Sequence, residues 1–170
     1  MLLIFQAYTI AIGIIPITTL TLLKQNYLKR RNIVEAETIS SSLVPHDSDA
    51  SDTKSIFLES DNQKELLQIP LHDLLFIKSD GNYIMVGYLD KGKFSRKLLR
   101  NTLKYAEDSL RNIPVVFKCH RSWLVNMNRI SGITGNSQGL LLKIEGFDEE
   151  IPVARSNAAG FRERITGRLV

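Results

Sequence analysis

The stretch "FKCHRSWLVN", Phe117 to Asn126, places a cysteine, a histidine, an arginine and a serine inside a hydrophobic strand pattern. Successive side chains of a β-strand point to opposite faces, so the side chains of Cys119 and His120 are predicted to point apart. A nucleophile–base pair needs a contact of roughly 2.6–3.2 Å, which this arrangement excludes. We therefore predict that Cys119 is a small buried hydrophobe and not a catalytic nucleophile.

The outward face of the same stretch carries only donors and cations. Lys118, His120, Arg121 and Ser122 form a compact set that suits phosphate oxygens and guanine edges. A solvated strand edge, where lysine and arginine oppose aggregation, has the same appearance, and this stretch alone leaves both interpretations open. With one cysteine and three histidines in separate contexts, the sequence predicts neither a metal site nor a cofactor.

Two further stretches collect polar residues at strand ends. "IKSDGNY", Ile77 to Tyr83, places them at a strand end and a tight turn. "IPVARSNAAGF", Ile151 to Phe161, places them at a strand end and a helix start, where free backbone N–H groups favour an anion. Ordinary turn formation and helix capping explain each stretch equally well. Within the opening stretch, Trp123 is predicted to be core and Asn126 to form a turn.

The carboxyl-terminal two thirds of the chain predict an α+β, mainly β fold. From Ser55 onward short apolar runs alternate with turn signals such as "DGN" and "DKG". Two short helices are expected, one capped by Asn101 and one starting near Ser156 or Asn157. The order contains no strand–helix–strand alternation, so we predict antiparallel sheets.

The amino-terminal third predicts a membrane anchor. Residues 1–23 carry no charged side chain, and at ~1.5 Å per residue a helix of this length crosses a ~30 Å hydrocarbon core; a signal-like or buried helix is the alternative. The positive charges of 24–31 place the carboxyl side in the cytoplasm, which predicts a single-pass protein of the inner membrane. We expect a juxtamembrane helix at 24–43, solvated or a short dimerising stalk, and a flexible linker at 44–54 before a domain at 55–170.

Charge is segregated along the chain. Residues 32–65 hold eight acidic and two basic residues, whereas residues 66–170 hold sixteen basic and ten acidic ones. An acidic spacer thus separates a basic folded part from the predicted membrane segment. This distribution indicates an anionic partner, either nucleic acid or lipid headgroups.

At this point a family resemblance is evident. The runs "IPLHDLLFIKSDGNYIMV", "RNTL", "FKCHRSWLVN" and "IPVARSN" closely resemble the LytTR (LytR/AlgR-type) DNA-binding domain of bacterial transcription regulators, over roughly residues 56–167. The resemblance implies a strand-rich domain whose loops enter successive major grooves of double-stranded DNA, commonly at paired sites, so a homodimer on DNA is expected. It also extends to membrane-tethered members of the family.

Carried over by position, the resemblance assigns base reading to Tyr83, Arg121 and Arg155. Phosphate contacts would come from Lys118, His120 and Ser122, with supporting contacts from Lys78, Ser79, Asn82, Ser156 and Asn157. Asn157 stands where the family carries an aromatic or basic residue. We expect a membrane-anchored transcription regulator without catalytic activity; the alternative is a membrane-bound interaction module whose basic face binds anionic lipid or an acidic protein partner.

Overall fold

The computed structural model describes residues 17–24, 54–137 and 139–166. Residues 17–24 form helix α1. Across the described ranges, every helix is too short or too polar to cross a membrane. Apart from α1, the predicted membrane helix at 1–23, the juxtamembrane helix at 24–43 and nearly all of the linker at 44–54 lie outside the described residues.

Ten strands of the described residues form three antiparallel sheets. The two-stranded sheet pairs β1 and β2, the five-stranded sheet has the order β5-β4-β3-β7-β6, and the three-stranded sheet has the order β10-β9-β8. The strands are β1 (Ser55–Glu59), β2 (Leu66–Pro70), β3 (Leu74–Asp80), β4 (Tyr83–Asp90), β5 (Lys93–Leu99), β6 (Val116–His120), β7 (Trp123–Asn126), β8 (Ile130–Asn136), β9 (Gly139–Ile144) and β10 (Phe147–Pro152). This architecture confirms the predicted antiparallel, strand-rich fold.

Two α-helices accompany the sheets, α2 (Leu103–Ser109) and α3 (Ala158–Thr166). The N-cap of α2 is Thr102, whose hydroxyl accepts a hydrogen bond from the Tyr105 N–H at 3.2 Å. The prediction that Asn101 caps this helix is therefore wrong. Asn101 instead donates from its side-chain nitrogen to the Glu59 carbonyl at 2.9 Å, which joins the start of α2 to the end of β1.

The five-stranded sheet is covered on both faces. One face packs on the three-stranded sheet and α3, and the first core cluster includes Phe76, Cys119, Trp123, Val125, Leu142, Ile151 and Phe161. The other face packs on α2 and the two-stranded sheet, and the second core cluster includes Ile56, Leu58, Ile77, Ile84, Val86, Leu103, Ala106 and Leu124. Along β7, Trp123 and Val125 belong to the first cluster and Leu124 to the second, as period-two patterning requires. In β3 a register shift next to Leu75 places the adjacent Leu75 and Phe76 in the same cluster.

Two tight turns set the registers of the five-stranded sheet. Gly81 has φ of +59° in the two-residue turn between β3 and β4. Lys91 and Gly92 have φ of +52° and +77° between β4 and β5, the two positive values of a type I′ hairpin turn. Gly87 has a different role: a Cβ there would lie 2.6 Å from the Phe76 ring, so only glycine leaves that ring its place opposite β4.

Candidate nucleic-acid interface

Strand pairing brings two of the three predicted stretches to one end of the five-stranded sheet. β3 pairs with β7, with Lys78 opposite Trp123, and the Ser79 N–H extends the ladder by donating to the Ser122 carbonyl at 2.9 Å. Because the strands are antiparallel, the β3–β4 turn at Gly81 lies beside the turn that joins β6 to β7.

A bulge in β6 attaches the third stretch to the same end. Lys118 pairs with Leu124 and His120 with Trp123, so Cys119 is an extra residue without a direct partner in β7. The Cys119 carbonyl instead accepts from the Ala154 N–H at 2.8 Å. The segment 152–157 therefore runs along the outer side of β6, and all three stretches meet at one end of the sheet.

The tips of the two turns carry exposed side chains from the predicted set. Arg121 is exposed in the β6–β7 turn, and its guanidinium has no hydrogen-bond or ion-pair partner among the described residues. Asn82 is exposed in the β3–β4 turn, and the Tyr83 side chain next to it is 45% exposed. A planar guanidinium and an aromatic hydroxyl on neighbouring turns suit the donor–acceptor edges of a major groove.

His120 and Ser122 orient one another beneath Arg121. Nδ1 of His120 lies 2.8 Å from the Ser122 hydroxyl oxygen and accepts from the Ser122 backbone N–H at 3.4 Å. Because Nδ1 is the acceptor, a neutral imidazole carries its proton on Nε2. The pair therefore presents an Nε2–H donor, the type of group that binds a phosphate oxygen.

Two of the predicted phosphate-binding lysines have carboxylate partners. Lys118 forms an ion pair with Glu107 of α2. The Lys78 ammonium lies 3.9 Å from a Glu149 carboxylate oxygen and 4.8 Å from the centroid of the Trp123 ring. A phosphate at either lysine would compete with these carboxylates, which sequence reasoning did not identify.

The third stretch combines an exposed cation with a structural amide. Arg155 is exposed at the turn before α3 and, with His120, borders a cavity of about 210 Å³. Asn157 donates from Nδ2 to the Lys118 carbonyl at 2.9 Å, and its Oδ1 accepts from the Ser156 hydroxyl at 3.1 Å. Asn157 therefore links this segment to β6 through its side-chain amide, which is the group that a base contact would need.

The core residues behind the turns behave largely as predicted. Cys119 is fully buried and Trp123 nearly so, which confirms both as core. Burial raises the pKa of the Cys119 thiol to about 12. Asn126 has a larger role than a turn former: it is 1% exposed and donates to the carbonyls of Leu71 at 3.1 Å and Leu74 at 2.9 Å. The described residues contain no group of three or more potential metal ligands.

Comparisons with known proteins agree with this geometry. The sequence model of the LytTr DNA-binding domain matches residues 64–166. A solved LytTr DNA-binding domain from a methyl-accepting/DNA response regulator of Bacillus cereus superposes with a TM-score of 0.51 at 20% identity, over 65% of this chain and 95% of that one. No curated protein matches the chain. The family match spans more than half of the sequence, and the chain belongs to the LytTR DNA-binding domain family.

Proposed function

We propose that this protein is a membrane-anchored transcription regulator that binds specific double-stranded DNA through the three converging turns. The observation that carries the proposal is the convergence itself. Hydrogen bonds between backbones and from Asn157 hold the stretches around Tyr83, Arg121 and Arg155 at one end of the sheet. Rigidly placed tips can enter a groove together, whereas tips on separate surfaces cannot.

Charge supports a nucleic-acid partner for this domain. Residues 66–170 carry sixteen basic and ten acidic residues, so their net charge of 16 − 10 = +6 attracts a polyanion. Phosphate contacts at His120, Ser122 and Lys118 would make the affinity fall with salt, with supporting contacts from the neighbouring polar residues. The roles are divided between base reading by the tips and phosphate binding by the strand ends; neither role is catalytic.

The deciding experiment is a selection of random duplex DNA by residues 54–170, which contain both core clusters, followed by binding measurements on the selected site. Arg121→Ala is expected to reduce discrimination at one base pair by about 1–3 kcal/mol, since a bidentate arginine–guanine contact is worth that much. Lys143→Ala, at an exposed position of β9 in the other sheet, is the matched control and should leave base preference unchanged. Absence of any selected sequence at low salt would overturn the proposal.

The membrane anchor is proposed from the uncharged run at residues 1–23 and the cations that follow it. The anchor would place the DNA-binding domain at the cytoplasmic face of the inner membrane. Full-length protein should stay with membranes through an alkaline carbonate wash, and a chain starting at residue 25 should not. Binding of residues 54–170 to anionic vesicles more tightly than to the selected duplex would favour a lipid-binding module instead.

A further inference from the structure

Within the described part of the chain, the edge strand β5 has backbone groups that no other strand pairs. It is the outermost strand of the five-stranded sheet and pairs only with β4 among the residues that the structure describes. The two-residue turn makes Asp90 and Lys93 a hydrogen-bonded pair, so the N–H and C=O groups of Lys93 and of every second residue after it point toward β4. The N–H and C=O groups of the residues in between point away from β4. These outward groups belong to Phe94, Arg96 and Leu98.

The same strand concentrates cations that lack partners. Only Asp90 offsets the five basic residues at positions 91–100, which are Lys91, Lys93, Arg96, Lys97 and Arg100. No side chain of the five forms an ion pair or hydrogen bond within the described ranges. By contrast, Lys78, Lys118 and Arg129 all have carboxylate partners. Charge on β5 is therefore available to a partner.

Two apolar side chains lie among these cations. Phe94 is 37% exposed and Leu98 is 51% exposed, and both share the face of Arg96. Lysine on an edge strand is a common protection against aggregation, and that function accounts for the cations. It does not account for Leu98. The Phe94 ring packs on Phe76 and Phe147, at centroid distances of 6.2 and 5.5 Å, but leaves part of its surface exposed at an interval from Leu98 that a second strand would match.

These three features together select one class of partner. A second copy of β5 would set cations opposite cations, which disfavours self-pairing. A DNA duplex would use the cations but neither the backbone groups nor the apolar side chains. We propose that β5 binds an extended acidic segment of a protein partner by strand addition. This proposal goes beyond DNA binding and does not depend on it.

The register of β5 specifies the partner's sequence pattern. On one face a paired strand meets Phe94, Arg96 and Leu98, and on the other it meets Lys93 and Lys97. An antiparallel partner would place six consecutive residues opposite positions 98 to 93 of β5, beginning opposite Leu98. In that order the partner should carry an apolar residue, two acidic residues, any residue, an apolar residue and an acidic residue. Such a segment places its carboxylates opposite three cations and its apolar side chains opposite the two exposed ones.

The test measures binding of residues 54–170 to a labelled peptide, Val-Glu-Glu-Thr-Val-Glu, by fluorescence anisotropy and by amide chemical shifts. We expect it to bind at least tenfold more tightly than Val-Val-Thr-Glu-Glu-Glu, which has the same composition. Arg96→Glu should weaken binding at least tenfold, and Lys143→Glu, the same charge reversal on β9, should change it less than twofold. N-methylation of the third and fifth peptide residues should abolish binding, because their N–H groups face the edge.

Each alternative explanation of binding at β5 predicts a different result in these measurements. Equal binding of both peptides, or full binding of the N-methylated one, would indicate general attraction of anions and overturn the proposal. Displacement of the peptide by the selected DNA duplex would assign β5 to the nucleic-acid interface. Self-association that Arg96→Glu removes would indicate pairing between copies. Either of the last two results also overturns the proposal, while sequence-specific DNA binding by the same protein would still support the proposed function.

Discussion

The two edges of the five-stranded sheet carry cations in opposite circumstances. At the β6 edge, the Cys119 carbonyl accepts from Ala154, the Lys118 carbonyl accepts from Asn157, and the Lys118 ammonium faces Glu107. At the β5 edge, the outward backbone groups and the cationic side chains have no such partners in the described part of the chain. Charged groups at the β6 edge are therefore held by neighbouring residues, whereas those at the β5 edge are not held by any described residue.

This difference determines what each edge can recognise. Under the proposed function, His120 and Ser122, which hold one another in place, would lose little conformational entropy when the β6 end binds DNA. Free lysines and arginines attract any polyanion, and at β5 only the backbone groups and the two apolar side chains add selectivity. The following predictions test whether the β6 side is held as firmly as its contacts indicate.

The largest effect is expected at Asn126, in the strand paired with β6. Asn126→Ala removes two donors to the Leu71 and Leu74 carbonyls and an acceptor for the Asn128 N–H at 3.0 Å. Each buried group left unsatisfied costs about 1–3 kcal/mol, so we expect a loss of about 2–4 kcal/mol in the free energy of unfolding. Urea denaturation of residues 54–170 measures this loss in the free energy of unfolding.

Ser95→Ala in β5 is the matched control. Ser95 is half-buried and its side chain forms no hydrogen bond with the described residues, so the loss should stay within about 0.5 kcal/mol. Equal losses for the two variants would contradict the contrast between the two edges.

A smaller effect is expected in alkaline solution, because burial raises the pKa of Cys119 from 9.0 to about 12. A raised folded-state pKa contributes stability that is complete below pH 9 and declines as pH rises toward 12. The decline approaches about 1.4 kcal/mol per pH unit, and the loss is about 2 kcal/mol between pH 8 and pH 10.5.

The measurement for Cys119 is a set of urea denaturations from pH 8 to pH 10.5 on the wild-type protein and on Cys119→Ala. Other groups titrate in both proteins, so the difference between the two curves isolates the thiol. The variant should begin less stable and approach the wild type as pH rises. Parallel curves would show that the thiol is accessible to water and that the β6 edge is looser than its burial indicates.

Local sequence patterns predicted most of the fold. The period of two assigned Cys119 and Trp123 to the core correctly, even though Cys119 is the bulged residue of β6, because the bulge lies at the strand end next to the turn. The turns at Gly81 and Gly92 followed from the turn residues. The choice between Asn101 and Thr102 as N-cap did not follow, since both residue types can cap and only the distant Glu59 carbonyl decides between them.

The candidate site was less accessible to sequence reasoning. Family resemblance supplied its residues, but the contacts that join its parts connect positions far apart in the chain, such as Ala154 with Cys119 and Asn157 with Lys118. The partners Glu107 and Glu149 gave no local signal, because an ion pair depends on how an element packs and not on its own pattern. Charge counts identified an anionic partner without showing which lysines are already paired.

The smallest effect is expected for a substitution that makes the charges of the two edges more alike. Glu107→Gln removes the carboxylate beside Lys118, which becomes an unpaired cation like those of β5. Both side chains are 38% exposed, and an exposed ion pair is worth only about 0.2–1 kcal/mol, so non-specific duplex affinity should rise about threefold. The slope of log affinity against log salt should steepen by up to about 1, as one phosphate contact is added. Asp108→Asn frees Arg111 on the same helix in the same way and should change neither quantity, because that pair, at 2.6 Å, forms no ion pair or hydrogen bond with β6 in the described part of the chain. If both variants gained equally, net charge alone would govern binding, and Lys118 would have no special position at the β6 edge.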